Sequence, residues 1–174
     1  MIYGLVAEFD EPTTLVGAAR RAYAAGYRKM DAYSPIPIEG LHEELGFHTT
    51  RLPLIVLIGG LVGLCAGYGL EYWSSVHAYP MNIGGRPLHS WPSFIPVAFE
   101  TTILGAALAA VLGMLALNGL PEPYHPIFNA PRFRMASRHA FFLCIEAKDT
   151  QFDREATEAF LKSLQPREVT EVDW

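Results

Sequence analysis

One acid, Glu100, sits inside an otherwise apolar run, Phe94–Leu117, with Thr101 and Thr102 directly after it. An ionisable side chain at membrane depth is costly and marks ion or proton routes, or hydrogen bonds between helices. Glu100 lies about 9 Å from the outer end of its run, taking a rise of about 1.5 Å per residue. Three readings stay open. Glu100 bonds a neighbouring helix, lines a proton or quinol route, or reaches the outer headgroups. Pro96, one turn earlier, leaves a backbone carbonyl without its helical partner and makes that region more polar.

Other chemistry-bearing residues point to little. The six histidines are His42, His48, His77, His89, His125 and His139. None falls within an apolar run, so a haem held between membrane helices has no axial ligand here. They read as loop and interface residues. Cys65 and Cys144 stand alone, without the paired spacing of zinc, iron–sulfur or c-type haem sites, and read as buried thiols. No phosphate-binding loop, catalytic triad or paired-carboxylate pattern is present, so no catalytic, cofactor-binding or metal-ligating residue is expected. The formal charge of −5, with 13 Lys and Arg against 18 Asp and Glu and no basic run, argues against nucleic-acid binding.

The elements around Glu100 follow from hydropathy. Leu52–Tyr72 and Phe94–Leu117 each reach the roughly 20 residues needed to span a bilayer. Glu100 and Arg86 are read as the full charges of the second run and of the connection. Arg51 precedes the first run, whereas Arg132, Arg134 and Arg138 follow the second, so the positive-inside rule puts both termini in the cytoplasm. The opening MIYGLVAEFDEP lacks the pattern of a signal peptide and agrees with that orientation. Tyr72, Trp73, Tyr79 and Trp91 gather at the outer ends, where aromatic rings settle at headgroup level. Gly59, Gly63 and Gly67 recur every four residues, as do Gly105, Ala109 and Gly113. Small faces of this kind let helix backbones approach closely in lipid, and further helices beyond this chain are expected to join them.

The flanks, 1–51 and 118–174, are each too short to hold a core alone. Both read strand, helix, strand: Tyr3–Phe9, a helix from Pro12 with Asp10 and Thr13 as cap candidates, ended by Gly26, then Lys29–Tyr33. His139–Ala147, a helix capped by Asp153, and Glu168–Val172 repeat the order. The expected fold is α+β: a ferredoxin-like βαβ-βαβ sandwich, split by a transmembrane hairpin (52–72 and 94–117) with an outer loop at 73–93. Asp149, Asp153, Glu155 and Glu158 read as a solvated acidic face. Arg132, Arg134 and Arg138 read as anchors at the lipid surface.

The blocks DAYSPIPIEGLHEELGF, SWPSFIPVAFETTIL and FNAPRFRMASRHAFFLCIEAKDTQFDREATEAFL resemble the ActD-type subunits of bacterial alternative complex III, over nearly the whole chain. That resemblance implies a component of a quinol:electron acceptor oxidoreductase in the bacterial inner membrane. It implies a chain with no redox centre of its own. Haem c and iron–sulfur clusters are expected in sister subunits, and quinol chemistry in large polytopic ones. The alternative from another class is a membrane-tethered sensing or adaptor module. A transporter component is a third reading and would also need sister subunits.

Overall fold

The computed structural model describes residues 2–174. In chain order it runs β1 (Ile2–Phe9), α1 (Pro12–Ala24), β2 (Met30–Tyr33), the single turn α2 (Leu41–Glu44), α3 (Leu52–Tyr72), α4 (Trp91–Leu117), β3 (Phe141–Glu146), α5 (Arg154–Ser163) and β4 (Glu168–Asp173). A π-helical stretch, Trp73–Ala78, prolongs α3, and two 3-10 turns, Pro126–Asn129 and Phe133–Ser137, follow α4. The chain divides into two compact units. One holds the segment up to Thr49 together with Pro123–Trp174, and the other holds Thr50–Glu122.

In the first unit the four strands form one sheet in the order β2-β3-β1-β4, with every neighbouring pair antiparallel. Each strand–helix–strand half therefore has a strand of the other half inserted between its own two. Neither half has a complete sheet without the other, which is why two sequence-distant segments make one unit. Leu5, Ala7, Phe9, Leu143 and Ile145 face one side and pack with Leu15, Ala18, Ala19 and Ala22 of α1 and Leu161 of α5.

Local chemistry sets the ends of the helices. At the C-terminus of α1, Gly26 takes a φ of 103°, and the amides of Gly26 and Tyr27 return to the carbonyls of Tyr23 and Ala22. That left-handed cap suits glycine. Asp153 Oδ1 accepts the Ala156 amide at 2.8 Å and starts α5. The start of α1 differs from expectation. Glu11 is its N-cap and makes no side-chain capping bond, while Asp10 instead pairs with Arg167 at 3.1 Å.

The second face of the sheet is covered by the chain itself. Ile127, Ala130, Phe133 and Ala136 lie on Tyr3, Val6, Phe142, Cys144 and Val172. Strand alternation puts Val6, Cys144 and Phe142 on one side. Tyr3 joins them because the β1–β4 register shifts between Ile2 and Gly4. We call Pro126–Ser137 the strap.

In the second unit α3 and α4 pair as a hairpin of 21 and 27 residues. At about 1.5 Å per residue both exceed the roughly 30 Å hydrocarbon core, and both are apolar enough to cross a membrane.

Candidate functional site

The seam between α3 and α4 is built from residues without bulk. A Cβ on Gly59 would collide with Ala109 Cβ and lie 2.8 Å from the Gly105 carbonyl oxygen; one on Gly63 would collide with the Thr101 carbonyl. On Gly67 it would meet the Thr101 side chain, and on Gly105 it would lie 2.5 Å from the Gly59 carbonyl. Gly113 faces Ile55 at 2.9 Å in the same sense. Backbone thus meets backbone along the seam, and dispersion between closely packed atoms replaces side-chain interdigitation.

The threonines serve the same seam. Thr101 Oγ1 donates to the Val97 or Ala98 carbonyl at 2.9 and 3.1 Å, and Thr102 Oγ1 donates to Ala98 at 2.6 Å. Their hydroxyls are satisfied on α4 itself and extend no hydrogen bond to Glu100. Glu100 is exposed on the outer surface of the hairpin, away from the seam, and makes no hydrogen bond or ion pair among the described residues.

A second acid, missed in the reading of the sequence, lies in α3. Glu71 follows Gly67 by four residues and so continues the Gly59–Gly63–Gly67 row. One of its carboxylate oxygens is buried and has no hydrogen-bond partner. The signal was the same four-residue spacing, which the tyrosine-rich end of the run obscured. Close by in sequence, Tyr68 Oη and His89 Nε2 are hydrogen-bonded at 2.7 Å. The His89 ring also meets Tyr72 edge-on at 5.1 Å and Phe94 at 5.8 Å, and His77 meets Tyr72 at 5.6 Å. His77 and His89, both from the connection between α3 and α4, therefore gather on Tyr72 and tie that connection to the helix ends.

Two polar clusters hold the strap to the sheet. Glu8, 3% exposed, receives a bidentate pair from Arg132, Nε to Oε2 at 2.8 Å and Nη2 to Oε1 at 3.0 Å. Arg132 is thus the counter-ion of the buried Glu8, with its own side chain 41% exposed; Arg134 and Arg138 are exposed. The second cluster runs from His125 through Tyr3 to Glu146, at 3.3 and 3.4 Å, and ends on Lys148, whose Nζ lies 2.6 Å from Glu146 Oε2. Asp31 and Tyr33 on β2 face the same side as Cys144 and Glu146. Burial, then the Glu146 charge, pushes the Tyr3 hydroxyl up. Burial also raises the Asp31 carboxyl, and it keeps the Cys144 thiol in its neutral form.

Asp149, read from sequence as solvated, is 5% exposed. Its Oδ2 accepts the amides of Arg28 and Lys29, both at 2.6 Å, and its Oδ1 accepts that of Gln151 at 2.8 Å. Burial alone would raise its pKa. The three amide bonds outweigh that effect and leave the carboxyl below its ordinary value. Asp149 joins the C-terminal half of the unit to the N-terminal half.

Among the described residues, no group of three or more His, Cys, Asp and Glu is placed to hold a metal ion. A family model described as Alternative complex III, ActD subunit, matches residues 3–171. No curated protein matches the chain.

Proposed function

The chain belongs to the ActD subunit family of alternative complex III, and on that premise we propose that it is a non-catalytic membrane brace of this electron-transfer complex. Its partners are the other subunits of the complex. The redox centres, haem c and iron–sulfur clusters, are expected in sister chains, along with quinol chemistry in polytopic ones. The α3–α4 hairpin spans the bacterial inner membrane, with both termini on the cytoplasmic side. The sheet unit is a split ferredoxin-like sandwich, a reading supported by the strand order β2-β3-β1-β4 and by one crossing helix in each half.

The observation that carries the proposal is the position of Glu100. The two helices close their glycine faces on each other, and this leaves the intramembrane acid on the outside of the hairpin with no partner among the described residues. A carboxylate facing hydrocarbon is unfavourable unless a donor meets it. A helix of a sister subunit supplies that donor, and Glu100 is the point where the brace engages it. A proton route through the same residue would need the same neighbour.

The sensing-module reading is weakened by the strap. The second face of the sheet, the natural docking surface of such a module, is filled by Ile127, Ala130, Phe133 and Ala136.

Solubilising native membranes and isolating the chain tests the proposal. Multihaem cytochrome c, iron–sulfur and polytopic polypeptides should co-purify with it; isolation as a stable lone protein would overturn it. Glu100→Gln then separates the roles of that residue. Loss of co-purification marks a docking contact, while intact assembly with impaired proton translocation marks a route.

A further inference from the structure

The strap is capped, one residue before its start, by a histidine whose bonding fixes its tautomer. His125 Nδ1 accepts the Ile127 amide at 3.2 Å and thereby caps the first 3-10 turn. A ring nitrogen accepts only when it carries no proton. The neutral ring then has its proton on Nε2, facing Tyr3 Oη at 3.3 Å, and the Tyr3 hydroxyl donates onward to Glu146. The closed strap therefore requires neutral His125.

The opposite state is also provided for. A proton taken from the aqueous phase onto Nδ1 turns the acceptor into a donor, and the Ile127 amide loses its partner. The charged ring is met by carboxylates. From β1 it faces Tyr3 at 3.3 Å, and from β2 it interacts with Asp31; Tyr33, Cys144 and Glu146 lie on the same side of the sheet, with Lys148 paired to Glu146. Trp174, directly after β4, meets the Tyr3 ring edge-on at 5.5 Å. Asp31 and Glu146 attract an imidazolium, and Lys148 is already engaged with Glu146. The remainder of the strap has separate fastenings: Arg132 on Glu8, and Asn129 Nδ2 on the Asp173 carbonyl at 2.9 Å. Opening is thus confined to the start of the strap, where the chain arrives from α4.

We propose that His125 is a proton-operated clasp, closed while Nδ1 is free and opened by a proton there, so that acidification on this side loosens the chain between the second span and the sheet. The inference stands on hydrogen-bond geometry within one unit and is independent of membership of a complex.

Amide hydrogen exchange of the full chain in lipid nanodiscs tests it, with rates corrected for intrinsic pH dependence. Between about pH 8 and about pH 5, where histidine changes charge, exchange over residues 127–130 should rise about fivefold in the wild type, the scale of one lost hydrogen bond. His125→Asn supplies a capping oxygen that does not titrate, so its strap should stay protected at both pH values. His125→Ala should exchange fast at both. Exchange in the wild type that does not respond to pH overturns the proposal. An equal rise in His125→Asn overturns it too, because the response then belongs to the carboxylates. Should His125→Ala fail to fold, the wild type and the Asn variant still decide.

Discussion

Asp149 accepts three backbone amides, two of them from a segment 120 residues earlier. Asp149→Ala leaves those donors unmet, and the expected loss is about 2 kcal/mol at neutral pH. The pH dependence follows from its lowered carboxyl. A depressed acid stabilises above its unfolded value, about 3.9, and that contribution fades as pH falls through the folded value. Thermal unfolding in detergent should therefore show the wild type and Asp149→Ala converging under strongly acid conditions. Asp31 behaves in the opposite sense, because burial raises its carboxyl. Its charged form is disfavoured in the folded state, so the protein loses stability as pH rises through the folded value. Asp31→Asn should melt at or above the wild-type temperature at neutral pH, and the difference should vanish in acid. A clear drop in the melting temperature of Asp31→Asn would show that its charge is needed.

Elements depend on what they leave out. The α3–α4 seam holds because Gly63 lets the Thr101 carbonyl approach to where a side chain would be. Gly63→Leu must push the helices apart, with a loss of roughly 1–3 kcal/mol from overpacking. Gly69 has nothing within 4 Å of its would-be Cβ, so Gly69→Ala should leave the seam intact. Proximity between labels on α3 and α4, read by spin–spin distance in nanodiscs, should lengthen in the first variant and stay constant in the second. Equal behaviour would show that the four-residue glycine row does not set the packing. The strap is the other element defined by exclusion. Its residues Ile127, Ala130, Phe133 and Ala136 fill the sheet face, while Phe128 and Arg134 remain exposed.

At the scale of the whole molecule, one prediction concerns sidedness. Protease added to sealed right-side-out cells should leave the sheet unit whole and reach only the connection between the spans, detected with an epitope on the C-terminus. Digestion of the sheet unit from outside would reverse the proposed orientation. The two long apolar helices and most strand positions were readable in the chain, because apolar length, the two-residue and 3.6-residue periods, and caps such as Asp153 and Gly26 are local properties. The glycine rows were readable for the same reason, since a four-residue spacing alone defines a helix face. The partners of single charges were not. Asp149 looked like a solvated acid and is buried, and nothing near Arg132 in sequence named Glu8, yet each pairs with groups 120 or more residues away. Likewise nothing local showed that Glu71, at the end of the glycine row, has a buried oxygen without a partner, or that His125 caps the turn at the head of the strap. Periodicity depends on neighbours in sequence, whereas the desolvation that makes a charge find its counter-ion depends on which distant strands come together, and only the folded sheet decides that.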